Sequence, residues 1–319
     1  MKSRSSKTLT VPGERGKRFA IFDHALRSLP QGYLDAKEWL EYFAETRSKF
    51  SKSETGSAVP ARQSMIQHQT LEGSRARTRA VQKAQFVGQI TDLILPDDQA
   101  PAPRPQAFLV EQSANWALPP HFHQEHQFQV FVGGGGRLGA HPVAHLAVHY
   151  ASPHSGYGPL VSGDQGLAYL TLRAVGDTGA WYLPEQREHL QLRIPKRQAH
   201  GAPALAMELA SIGALAQPQA EVLIAPDAAG LAAWLLRWPA GATGEWPAGA
   251  QAGGGRFVVV HQGSLGLANG QVDALGVAWA APGDDLRFTA GAQGLEAVVV
   301  QFPAAAQRSF IEQRAAETG

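Results

Sequence analysis

Seven of the chain's twelve histidines lie between Leu118 and Leu160, in the stretch LPPHFHQEHQFQVFVGGGGRLGAHPVAHLAVHYASPHSGYGPL. Neutral imidazole is the commonest protein ligand for transition metals, so such a concentration points first to metal chemistry. His121, His123, Glu125, Gln127, Gln129 and Phe131 alternate with Phe122, Gln124, His126, Phe128, Val130 and Val132, the period of two of a pleated strand. Gly133 to Gly136 stops the run. Two imidazoles at i and i+2 on one strand face can converge on one ion and form half of its coordination shell.

Cysteine is absent, which removes disulfides, thiolate catalysis and sulfur ligands. His, Asp, Glu and Gln are left as donors, a nitrogen and oxygen set suited to Fe, Mn, Ni, Cu or Zn. His141, His145 and His149 stand at i, i+4 and i+8, which places them on one face of either a helix or a strand. Pro142, Val143, Val148 and Tyr150 favour the strand, and then His149 can also point inward. His126, His141 and His145 read as loop or surface residues that support neighbours by hydrogen bonds.

The leading stretch resembles the cupin superfamily. The resemblance rests on Pro119 and Pro120 leading into His121-x-His123, on Gln127 in the third ligand position where Glu is commoner, and on Phe128 to Val132 running into Gly133 to Gly136. SPHSGYGPL, with His154 after Pro153, is similar to the second cupin motif. The resemblance implies one divalent metal held by His121, His123, Gln127 and His154, with His149 as the alternative last ligand. It also implies a mostly β fold of two cupin-type antiparallel β-barrels, double-stranded β-helices of jelly-roll kind, behind an N-terminal helical or irregular extension. Glu125, Gln129 and Tyr157 are the candidates for proton transfer or substrate hydrogen bonding.

The second half repeats the pattern without the chemistry. Phe257 to Val260 running into Gly263 parallels the first half, and WAAPGDDLRF is similar to a cupin turn. Glu245, Trp246 and Pro247 stand in place of His-x-His, and His261 is that region's histidine. The expected organisation is a bicupin: an extension at 1–79, a metal-binding barrel at 80–180, a connector at 181–230, a degenerate barrel at 231–303 and a short helical tail at 304–319. Asp35 to Phe50 shows the apolar spacing of an amphipathic helix that could serve a dimer interface, and Ser51 to Arg79 reads as a polar connector.

A net charge of +1 gives no global argument for nucleic acid or a membrane surface. The basic residues of Met1 to Arg18 read as a solvated tail. No apolar run reaches the ~20 residues needed to cross a bilayer, and the N-terminus lacks an apolar signal core, so a cytoplasmic protein is expected. Three neutral imidazoles and an amide leave a bound ion's charge uncompensated, which suits a small anionic or oxygen-rich molecule. Iron or copper would direct the chemistry to O2 in the manner of a dioxygenase; zinc, nickel or manganese would direct it to isomerase or lyase reactions. The alternative is a non-catalytic bicupin that holds a metal or a small ligand.

Overall fold

Short runs of Val, Phe, Leu and Tyr broken by Gly, Pro and Asn-Gly pairs are what a sequence needs to build many antiparallel strands with tight connections. The computed structural model describes residues 66–97, 102–177, 179–191, 193–247, 253–284 and 287–318. The basic tail and the amphipathic Asp35 to Phe50 segment lie outside the described residues. Among those residues no helix is long and apolar enough to cross a membrane.

The first half contains β1 (Gln67–Gln69), α1 (Leu71–Ser74), β2 (Thr78–Gln82), β3 (Val87–Ile94), β4 (Gln106–Gln112), β5 (Ala117–Leu118), β6 (His121–Phe122), β7 (Gln127–Leu138), β8 (His141–Val143), β9 (Val148–Ala151), β10 (Leu160–Arg173), β11 (Trp181–Tyr182) and β12 (Gln198–Gly201). The second contains α2 (Leu209–Gly213), β13 (Gln219–Ile224), β14 (Ala232–Trp238), β15 (Thr243–Glu245), β16 (Arg256–Leu267), β17 (Gly270–Asp273), β18 (Val277–Ala280), β19 (Arg287–Gln301) and α3 (Phe310–Thr318). One sheet runs β12-β9-β7-β10-β4-β3-β2, with β5 on β10 and β8 on β7. The other runs β1-β18-β16-β19-β14-β13, with β15 on β19 and β17 on β16, and β6 pairs separately with β11.

The two sheets are copies of one plan. Strands β3, β4, β5, β7, β8, β9 and β10 are matched pairing for pairing by β13 to β19. The register agrees as well: Phe128 lies opposite Leu172 and Val130 opposite Leu170, while Phe257 lies opposite Val300 and Val259 opposite Val298. Leu146 and Leu275, at equivalent places before β9 and β18, both take a positive φ, at 55° and 61°, unusual for a branched side chain. The added edges are exchanged, since β12 extends the first sheet through β9, while β1, at the N-terminal end of the first half, extends the second through β18.

Alternation sorts each strand's side chains between two layers. Phe128, Val130, Leu170 and Leu172 share a buried cluster with Phe257, Val259, Val298, Val300 and Phe302, so one face of each sheet packs on the other. Phe128 meets Phe302 edge to face with centroids 5.0 Å apart. Each fully buried aromatic or aliphatic side chain in this layer stabilises the fold by about 1.5–3 kcal/mol relative to exposure. The opposite faces form separate interiors, around Phe131, Tyr169 and Leu160 in the first half and around Trp234, Val258 and Val299 in the second.

Three expectations change. The connector read at Ser51 to Arg79 is built into both sheets from β1 onward, and β2 crosses the expected boundary at 79. The 181–230 connector holds β11, β12, α2 and β13, and because β13 is the counterpart of β3 the duplicated strands of the second half start at Gln219. Most of QAEVLI is exposed, so this edge strand shows no core periodicity that would mark the boundary. His141, His145 and His149 share no strand face: a turn with an Ala147 N–H to Ala144 carbonyl hydrogen bond separates β8 from β9, and His145 sits in it. The expected tail helix is α3.

Candidate metal centre

The first half encloses a cavity of about 440 Å3 lined by, among others, His121, His123, Gln127, Gln129, Tyr157 and Arg173. Backbone pairing places the first of these. The His121 N–H donates to the Tyr157 carbonyl and the Tyr157 N–H to the His121 carbonyl, each at 3.0 Å, while His121 also lies opposite Tyr182 across β6 and β11. Gly158, at φ 112°, lets the chain pass Pro120 at a distance that a side chain would crowd. β7 delivers Gln127 and Gln129, and β10 delivers Tyr169, Thr171 and Arg173 along one face.

Hydrogen bonds define the protonation of both imidazoles. His121 Nδ1 lies 2.8 Å from the Pro119 carbonyl oxygen, which can only accept, so Nδ1 carries the proton. His123 Nδ1 lies 2.7 Å from an Asp177 carboxylate oxygen and 2.9 Å from the Gly179 carbonyl, two acceptors at shorter range than the Arg173 Nη2 donor at 3.1 Å, and they assign the proton to Nδ1. Burial lowers the His121 pKa to about 3, helped by the nearby His123 and Arg173 and opposed by the Pro119 bond. The His123 pKa is lowered by burial and by Arg173, against the pull of Asp177. Both rings are therefore neutral at pH 7, with Nε2 as the lone-pair nitrogen. Their centroids are 5.4 Å apart and their planes perpendicular. This is the arrangement in which outer partners orient histidines for a metal.

Tyr157 and Arg173 complete the polar lining. The Tyr157 hydroxyl lies 3.1 Å from His121 Nε2, to which it donates, and accepts from Gln127 Nε2 at 2.6 Å. Burial pushes its phenol well above the ordinary range, so it stays protonated. Arg173 donates to Gln127 Oε1 at 2.6 and 3.1 Å and to Gln106 Oε1 at 2.6 Å, and its guanidinium stands 5.4 Å from the centre of the Phe108 ring. Gln127 thus lies in the cavity as expected, but its oxygen faces the guanidinium rather than the histidines.

Two proposed site residues are elsewhere. His154 is not at the cavity: at φ 55° in the turn after Pro153, its ring stacks on Phe122 and meets Phe310, and its Nδ1 accepts from the Gln191 N–H. The Pro-containing turn that singled it out aims its ring away, and the hydroxyl of Tyr157, three residues on, stands beside His121 instead. Glu125 is no acid for the cavity. Its carboxylate accepts from the Ser309 hydroxyl at 2.6 Å and from the Phe310 and Ile311 N–H groups at 3.0 and 3.3 Å, which fastens the N-terminus of α3. Gln129 lines the cavity with its Oε1 on His149 Nδ1 at 2.9 Å, and His149 sets its ring against Tyr157, one layer behind the lining. His126 bonds the Tyr150 hydroxyl at 2.6 Å. Arg173, Asp177 and Tyr182 are cavity residues that the sequence reading passed over. For Arg173 there was a signal, an arginine continuing the inward row of Tyr169 and Thr171 in an otherwise apolar strand.

No protein family's sequence pattern and no curated protein matches the chain. Solved structures of similar shape include procruciferin, an 11S globulin of Brassica napus, at 11% identity and TM-score 0.49 over 77% of this chain and 87% of that one. Oxalate decarboxylase of Lactobacillus farciminis follows at 10% and 0.48 over 80% and 89%. A cupin 2 conserved barrel domain protein of Leptotrichia buccalis matches at 11% and 0.39 over 70% and 92%. These are likenesses of overall shape. The chain's strongest internal mark is the duplicated pairing scheme, whose first copy carries the His-x-His pair and whose second copy has no such pair in its sequence. There the register puts Arg256, Val258, Ala278 and Val299 where the first has Gln127, Gln129, His149 and Thr171.

Two outcomes follow. Glu125→Ala should loosen α3, at a cost of about 1–2 kcal/mol, because it strips the helix of its cap. Faster amide exchange confined to Phe310–Thr318, with metal affinity unchanged, is the expected readout. Acid should destabilise the metal-free protein. Unfolded histidines protonate near 6.5, whereas His121 and His149 resist to about 3, so the unfolded chain binds more protons in that window and stability falls as pH drops through it. Urea midpoints measured at steps from pH 7 to 4 check the direction, and His149→Gln should flatten the slope.

Proposed function

We propose that the first half is a metal-dependent catalytic unit in which His121 and His123 hold one divalent transition ion through Nε2, and that the chain is a bicupin whose second unit is structural. The observation that carries this reading is the matched pair of Nδ1–H bonds, to Pro119 and to Asp177 with Gly179, which leaves two neutral Nε2 donors on rings that line one cavity. Two imidazoles with an amide oxygen nearby suit Fe, Mn, Ni, Cu or Zn. When bound, such an ion supplies Lewis acidity toward a substrate oxygen and, if it is iron or copper, redox chemistry with O2.

The chain's own residues then select and hold the molecule. Three of the five N–H groups of Arg173 are taken by Gln127 and Gln106 and its Nη2 also stands 3.1 Å from His123 Nδ1, which leaves an Nη1 N–H for an anionic oxygen in the cavity. The buried guanidinium makes a small carboxylate or enolate the favoured occupant, since an anion there offsets a charge already removed from water. Tyr157 keeps its proton and is a donor; once the His121 lone pair is engaged elsewhere, its hydroxyl hydrogen is released toward the occupant. Gln129, held by His149, offers an amide without charge. Homodimerisation through the Asp35 to Phe50 segment and a cytoplasmic location belong to the same proposal and rest on the sequence.

Ligand holding without turnover is the second reading. It is favoured by the engagement of Glu125, the carboxylate first assigned to proton transfer, with α3.

Elemental analysis of the purified protein beside His121→Ala/His123→Ala is the test. The double variant should lose about one metal equivalent per chain; equal metal in both proteins would end the proposal. In the metal-loaded protein, calorimetric titration with small mono- and dicarboxylates should show binding about tenfold weaker in Arg173→Gln with metal content intact. Carboxylate binding without oxygen uptake or product formation across the same panel would select the second reading.

A further inference from the structure

His145, His261 and Glu296 lie together at one end of the layer where the two sheets pack. One nitrogen from each histidine and a carboxylate oxygen fall within 4.8 Å of one another. The residues come from separate parts of the chain: His145 from the turn between β8 and β9, His261 from β16 and Glu296 from β19. On β19, Glu296 continues the row of Val298 and Val300, which points from the second half toward the first, and His261 sits in the bulge of β16 between Val260 and Gln262 with its Nδ1 2.9 Å from Glu296 Oε1.

We propose that these three residues form a second divalent-metal site, of zinc type, that clamps the two halves together and is independent of the cavity in the first half. His145 Nε2 is 3.7 Å from Glu296 Oε1, and His261 Nδ1 is 2.9 Å from the same oxygen. Two donors bound at about 2.0–2.1 Å to one tetrahedral ion stand about 3.3 Å apart, between those two separations. The Nε2 of His145 is buried without a hydrogen-bond partner, an arrangement that a neutral imidazole does not gain from unless something accepts its lone pair. Glu296 is fully buried, and Arg237 takes its other oxygen, Oε2, at 2.7 Å, which leaves Oε1 directed at the histidines. Gln262 also donates to Oε1, at 3.1 Å. Binding through Nδ1 requires the ring proton of His261 to sit on Nε2.

Packing alone does not call for these residues. The duplicated register puts Val132 and Ala168 in the first half where the second has His261 and Glu296, and Ala274, beside the positive-φ Leu275, where the first has His145 beside Leu146. The chain therefore closes the equivalent end of the layer with apolar side chains. A carboxylate removed from water at the other end is costly unless it is paired or bound to a metal.

Cobalt(II), which takes zinc-type sites and reports its geometry in the visible spectrum, is the probe. The full chain should bind two equivalents, His145→Ala one, and His121→Ala/His123→Ala one. Loss in His145→Ala should remove the tetrahedral absorption bands and the rise in melting temperature that the metal gives through this site. His145 occupies a partly exposed turn, so its replacement leaves the packed layer intact. If His145→Ala binds as many equivalents as tightly as the unaltered chain, the triad is only an ion-pair network and the proposal is overturned. Loss in the His121/His123 variant without loss in His145→Ala would overturn it while sparing the first-half site, and the reverse pattern would do the opposite.

Discussion

The Nδ1–H bond from His121 to the Pro119 carbonyl is the constraint on which the first half depends. A histidine in a cavity can present either nitrogen, and a metal needs one that is unprotonated and held still. Here the tautomer is decided two residues earlier, by a carbonyl set between the rings of Pro119 and Pro120. The same decision is made for His123 by Asp177, from a loop that follows β10. Burial adds to this by excluding the charged form of both rings. The paired strands, the Gly158 passage and the Tyr157 bridge all serve to keep these two contacts in register.

Duplication shows how little backbone needs to change for chemistry to appear. Both halves use the same strands in the same pairings, and both join the first residue of the long hairpin's leading strand to a residue of the opposing strand by an Arg–Gln hydrogen bond. In the first half Arg173 donates to Gln127, and in the second Arg256 donates to Gln301 at 2.8 Å, with the two residue types exchanged. Beyond that pair the interiors diverge: Gln129 and Thr171 line a cavity in the first, and Val258, Ala278 and Val299 fill the second. Exchange of the edge strands β1 and β12 and the shared apolar layer make the two halves one folding unit, Gln63–Gly319.

What could be read from the sequence was whatever depends on neighbours along the chain. The His-x-His pair, the alternation through Phe128 to Val132, the glycine stops and the weak repeat at Phe257 all act within one strand, and each led to the fold. Contacts between distant residues were invisible. Glu125 pairs with a helix 184 to 186 positions away, and Asp177 reaches His123 across 54 positions. His154 was misplaced for a related reason: a turn residue's aim depends on its φ, and a positive value sends the ring outward where an extended one would send it in. Short exposed strands such as β13 carry no burial pattern, so the boundary between the halves could not be found from periodicity.

The central claim is that the first-half cavity holds an ion between the Nε2 atoms of His121 and His123. Anomalous diffraction at the absorption edge of the metal found in the purified protein tests it without reference to any substrate. A peak about 2.0–2.2 Å from both Nε2 atoms is the predicted result. Metal confirmed in the crystal with no peak between those two rings would contradict the account, whatever other site the ion proved to occupy.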